Sequence, residues 1–156
     1  MFKKEIEMNK SFIESNELKE IANKVIENNK MDWLNAVRIR YLLVSPNVSK
    51  TMPGKIIKAS DELQYFGDFD FLIEVSSDIY EKINTKLKES IIYHLLLHIS
   101  VVNKEDGETV LKIVNHNIQD FSQVLRNYGE EWFKNLKIIM SSVYDLKPEN
   151  LDNIKI

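Results

Sequence analysis

The chain has 156 residues, 44% of them apolar and 29% charged, which is the balance of an ordinary globular domain and leaves room for a real hydrophobic core. Its net charge of −3, with lysines and arginines spread throughout, gives no basic stripe of the kind that advertises nucleic-acid binding. The complete absence of cysteine excludes disulfides, thiolate metal sites and cysteine nucleophiles together. Residues 1–7, Met-Phe-Lys-Lys-Glu-Ile-Glu, carry charge where a signal peptide needs an apolar run. The longest apolar stretch, 91–102, is broken by two histidines and a serine and is too short to span a bilayer. Cytoplasm is therefore the expected location.

Taken in order, residues 6–31 place Ile13, Leu18, Ile21, Ala22, Val25 and Ile26 at helical spacing among charges, which predicts one or two amphipathic helices with a break or cap at Ser15-Asn16-Glu17. Residues 37–44 alternate and then turn fully apolar, as a strand does. Pro46-Asn47 and Pro53-Gly54 bracket a loop before a second strand at 54–59. Residues 68–75 alternate apolar with acidic side chains and form the clearest strand. Ser76-Ser77-Asp78 caps a short helix through Ile83, and Thr85 starts a longer one whose apolar body begins at Ile91. A polar turn at 103–107 is followed by a short strand or extended segment at 109–114. Ile118, Phe121, Val124 and Leu125 mark another amphipathic helix, and Trp132, Leu136, Ile139 and Met140 a last one. The order predicts an α+β fold in one compact domain: an N-terminal helical segment (1–34), a core (35–128) with a small three-stranded sheet and a histidine-bearing helix, and a C-terminal helix and tail (129–156).

All three histidines fall between positions 94 and 116. His94 and His98, in Tyr93-His94-Leu95-Leu96-Leu97-His98, are four apart, a spacing that puts two imidazoles on one face of a helix where they can grip a single metal ion. His116 follows 18 residues after His98, far enough for the chain to turn and return a third ligand. Asp120, four residues beyond His116, is a candidate fourth ligand or a partner that orients an imidazole. Zinc hydrolases use the same pairing as H-E-x-x-H, with the glutamate as general base; here that position is Leu95. The plain alternative is that these histidines are polar residues on a core helix, hydrogen-bonded to backbone or carboxylates.

The stretch from Val37 to Phe121 resembles the putative phage metallopeptidase family, a zincin-like group. The residues that carry the likeness are Val37-Arg38-Ile39-Arg40-Tyr41-Leu42, Gly54-Lys55-Ile56-Ile57-Lys58-Ala59-Ser60, Phe69-Asp70-Phe71-Leu72-Ile73-Glu74-Val75, the histidine motif itself and Asn115-His116-Asn117-Ile118-Gln119-Asp120-Phe121. The resemblance implies a zincin-like domain with His94, His98 and His116 as ligands of a zinc ion. It also implies that the strand ending in Glu74 binds substrate backbone. The departures are as informative: Leu95 replaces the catalytic glutamate, Asn117 a usual aspartate, Asn115 a glycine and Gln119 a common acidic residue.

A leucine cannot accept a proton, and positioned acid–base groups are typically worth ~10²–10⁴-fold in rate. Glu89 lies on a different helix face from His94, while Glu105, Asp106 and Glu108 sit on a charged turn and would need to fold over the site to replace the base. The resemblance thus implies a catalytically inactive pseudoenzyme that binds a peptide or protein partner, a host protein being the natural one for a phage product. Two alternatives stand beside it: a working zinc metallohydrolase with an unusual base, and a metal-free helical interaction protein that inhibits a host system. The last would expose Trp33, Tyr65, Phe66, Trp132 and Phe133 as a contact surface, although burial is the expectation for most large aromatics. Membrane association is not expected. For nucleic acid, the only support is a basic strand edge from Arg38, Arg40, Lys50, Lys55 and Lys58, which equally serves as edge protection.

Overall fold

Ser15 divides the N-terminal region in two. Its backbone is extended and its hydroxyl accepts the Leu18 N–H at 3.1 Å, so the first helix, α1 (Asn16–Asn28), starts there and cannot extend backward. In the computed structural model, which describes residues 9–114 and 131–147, the residues just before it form strand β1 (Ser11–Glu14). The expectation of helix through 11–14 is thereby corrected. β1 is exposed along its whole length and lies at a sheet edge, so pairing with its neighbour supplies its backbone hydrogen bonds.

That neighbour is β2 (Ile39–Ser45), antiparallel to β1 and parallel to β4 (Phe71–Ser76); β3 (Gly54–Lys58) runs antiparallel to β4. The sheet therefore has four strands in the order β1-β2-β4-β3, one more than expected. Between β3 and β4 lies a helix with no sequence forecast, α2 (Asp61–Gly67), which buries none of its residues. Arg38 ties this corner together: its backbone N–H donates to Asp70 Oδ2 at 2.8 Å and its guanidinium to Asp70 Oδ1 at 3.0 Å and the Gln64 carbonyl at 3.1 Å.

A short helix α3 (Ser77–Tyr80) leads to α4 (Thr85–Leu96), capped by Asn84, whose side-chain oxygen accepts the Leu87 N–H at 2.8 Å. The chain then forms a hairpin of β5 (Ile99–Asn103) and β6 (Thr109–Ile113), and the last described helix is α5 (Trp132–Tyr144). α1 and α4 are joined through Tyr80, which donates to Glu17 Oε1 at 2.5 Å while the Lys88 ammonium sits 4.1 Å from the Tyr80 ring centre. One hydrophobic core contains Leu18 and Val25 of α1, Phe71, Ile73 and Val75 of β4, Ile91 and Leu95 of α4, and Trp132, Leu136 and Met140 of α5. The mixed α+β fold matches expectation.

Side chains alternate across the sheet, and Gly54 identifies the faces. A Cβ built on Gly54 points at Leu95 and Ile91 of α4, and Gly54 pairs with Val75. Phe71, Ile73 and Val75 therefore face α4, while Leu72, Glu74 and Ser76 face the other way. The aromatic expectation divides: Trp132 is buried, whereas Tyr65 and Phe66 are each 80% exposed and Trp33 is 44% exposed.

Candidate metal centre

His94 occupies the last turn of α4 and is 5% exposed. His98 does not share the helix. α4 ends at Leu96, Leu97 caps it, and the His98 N–H bonds back to the Leu95 carbonyl at 3.1 Å in a turn leading into β5. The apolar run from 91 to 102 thus serves first as helix and then as strand, correcting the expectation of two imidazoles on one helical face. The turn nevertheless brings the rings together, with centroids 5.4 Å apart and planes at 72°. Two imidazoles sharing one tetrahedral zinc stand about 5 Å apart, because each ring centre lies about 3.2 Å from the ion. The pair fits that spacing, which is also an ordinary edge-on ring contact.

The ring of His98 is oriented by backbone. Its Nδ1 lies 2.6 Å from the carbonyl oxygen of Val114, which can only accept, so Nδ1 carries a proton. The Val114 N–H returns a bond of 2.8 Å to the His98 carbonyl. A ring N–H given to a backbone carbonyl is the usual support of a metal-ligating histidine. His116 and Asp120, together with the helix expected from Ile118 onward, lie outside the described residues. Among the described residues, no three metal-ligating side chains gather at one point.

Trp132, from α5, packs against His94, with ring centres 5.7 Å apart, and meets Phe133 edge-on at 5.4 Å. Trp132 is 2% exposed, and its indole N–H has no hydrogen-bond partner among the described residues. It lies 38 positions from His94, and nothing in the sequence distinguishes it from a core aromatic. The Val114 carbonyl was equally invisible, since a backbone oxygen has no residue signature.

Leu95 is 1% exposed and fills the space between α4 and β3; its Cδ1 would come within 3.0 Å of a Cβ placed on Gly54. At the position where a zincin carries its general base, this chain has hydrocarbon in contact with sheet. Among the described residues, other carboxylates do not converge there. Glu74 faces the opposite side of the sheet, 6% exposed, with Lys55 at 3.7 Å. Glu105, Asp106 and Glu108 sit at the far tip of the β5–β6 hairpin, about 17 Å along the strand from His98. β4 is bonded by β2 on one side and β3 on the other, so its backbone has no free edge for a substrate; β3 is the edge strand on that side. This corrects the expectation for the strand ending in Glu74.

A cleft of about 840 Å³ opens elsewhere, between α1 and the start of β2, lined by Lys19, Asn23, Arg38, Arg40, Tyr41 and Asp68 among others, and it holds neither described histidine. Among the described residues, no helix is long and apolar enough to cross a membrane.

No curated protein and no solved structure matches the chain. A family model does, over residues 10–144, which includes β1, the whole sheet, the histidine segment and α5. The chain belongs to the family described as "Putative phage metallopeptidase".

Proposed function

We propose that this family member keeps a histidine metal site, has lost peptidase chemistry, and acts by binding a peptide or protein partner. The observation that carries the reading is the ring of His98, whose Nδ1–H is given to the Val114 carbonyl at 2.6 Å beside the ring of His94. That bond selects the tautomer whose neutral ring would offer Nε2 to a metal. His116, two residues after Val114 in the sequence, is the third ligand of this reading. Zinc is the metal proposed, since imidazole suits it and the family is one of metallopeptidases, and a bound zinc would supply Lewis acidity and lower the pKa of its water toward ~7. Asp120 is the candidate for a fourth ligand or an orienting carboxylate.

Leu95 sets the chemical limit. It neither takes up nor delivers a proton, and its packing against Gly54 keeps the space between helix and edge strand apolar. The zincin-like arrangement is part of the same proposal: α4 carries the first ligand, and β3 lies alongside as the strand available to an extended peptide. The partner class proposed is a host protein met in the host cytoplasm, supported by the phage family to which the chain belongs.

Metal analysis with a peptide-cleavage assay tests the reading. The wild type is expected to hold one zinc per chain and cleave nothing, and Leu95→Glu to gain chelator-sensitive cleavage. Chelator-sensitive cleavage by the wild type would overturn the loss of chemistry, and a zinc-free wild type would overturn the site.

A further inference from the structure

We infer that the cleft between α1 and the start of β2 binds an extended peptide of a partner protein, which adds to the sheet as a short strand beside Ile39. β1 stops at Glu14, opposite Leu42, and the chain leaves the sheet for α1 at Ser15. β2 begins at Ile39, so its first residues reach past the end of β1. The last bond on that side runs from the Ser15 N–H to the Tyr41 carbonyl at 3.0 Å.

The direction of the backbone groups follows from alternation, since successive residues of a strand point their N–H and C=O to opposite edges. The Arg38 carbonyl accepts the Asp70 and Phe71 N–H groups at 2.7 and 3.1 Å, so it points to β4. The Tyr41 carbonyl points the other way, to Ser15. Ile39 lies an odd step from Arg38 and an even step from Tyr41, so its N–H and carbonyl share the Tyr41 side. Among the described residues neither group has a partner there. An unpaired strand edge is a template for another chain. Here it opens on a cleft of about 840 Å³ and not on a flat surface.

The rest of the lining suits main chain better than a charged guest. Arg40 is paired with Glu14 at 3.2 Å and Arg38 with Asp68 at 3.6 Å, so these charges are balanced within the wall. Asn16 and Asn23 line the α1 side. Side-chain amides both donate and accept, as peptide groups do. The guest continues the line of β1, antiparallel to β2, a mode in which main-chain bonds supply the affinity. The cleft holds neither described histidine, so the inference goes beyond the metal reading and stands with or without zinc.

The test uses the full-length protein and the pentapeptide acetyl-Thr-Val-Thr-Val-Thr-amide, with a copy N-methylated at every residue as control. By NMR, the Ile39 N–H is expected to exchange quickly with solvent in the free protein. On adding the pentapeptide it should move downfield and become protected. The methylated copy cannot donate to the Ile39 carbonyl and should bind at least about tenfold more weakly. Ile39→Pro removes an N–H that the sheet does not use, so its thermal midpoint should stay within about 4 °C of the wild type. It should bind the pentapeptide about tenfold more weakly. An Ile39 N–H already protected in the free protein overturns the inference, because the edge is then occupied. So does a signal that the pentapeptide leaves unmoved. Equal binding of the two peptides would exclude strand addition and overturn it as well. None of these readouts involves zinc, so their failure leaves the metal reading as it stands.

Discussion

His98 and Val114 hold each other by two hydrogen bonds, the Val114 N–H to the His98 carbonyl at 2.8 Å and the His98 Nδ1–H to the Val114 carbonyl at 2.6 Å. One bond continues the β5–β6 ladder; the other fixes an imidazole. The ladder bond uses the backbone of His98 and the other its side chain, so a substitution can separate them. His98→Asn retains a donor near the Nδ1 position and has nothing at Nε2. It should keep stability within about 0.5 kcal/mol while abolishing zinc binding, whereas His98→Ala should also lose about 1 kcal/mol. Urea unfolding beside zinc titration distinguishes the two variants.

Gly54 and Leu95 form a second coupled pair. A methyl at Gly54 would stand 3.0 Å from both the Glu74 carbonyl and Leu95 Cδ1, and the carbonyl is fixed in the sheet. Gly54→Ala should cost about 2 kcal/mol and Leu95→Ala about 3 kcal/mol. The double variant should be less destabilised than their sum by about 1 kcal/mol, because shortening Leu95 removes one of the two clashes. A double-mutant cycle by denaturant unfolding measures this.

Asp70 predicts the acid limb of stability. Burial pushes its carboxyl up, but the hydrogen bonds and charge of Arg38 outweigh burial and hold it below the ordinary aspartate value. A depressed folded pKa means the stabilisation is complete above the unfolded value, about 4, and is lost as pH falls through the lower folded value. Asp70→Asn should cost about 2 kcal/mol at pH 7, and the gap from the wild type should close as the pH drops below about 4. A constant gap across that range would show that Asp70 does not act through its charge.

What the sequence made legible followed from burial. β2, β3, β4 and the start of α4 were readable because one face of each is packed, and the polar run at 76–78 marks the passage from β4 into α3. β1 and α2 were not: β1 is exposed at all four positions and α2 buries nothing, so neither carries a periodic signal. The end of α4 was hidden by a different cause. From Ile91 to Ile99 nearly every residue is buried, and no glycine or proline marks where helix gives way to strand. The histidine pair was visible as spacing, but its real geometry depends on a turn at Leu97 and a backbone carbonyl 16 residues away. The indole of Trp132 comes from a helix whose docking no local pattern encodes.

The central claim is that the metal site survives where the base does not. Zinc content per chain, measured after extensive dialysis on the wild type and on His98→Asn, tests it most directly. The account predicts one zinc per wild-type chain and none in the variant. A wild type that retains no zinc, or a variant that retains as much as the wild type, would contradict it.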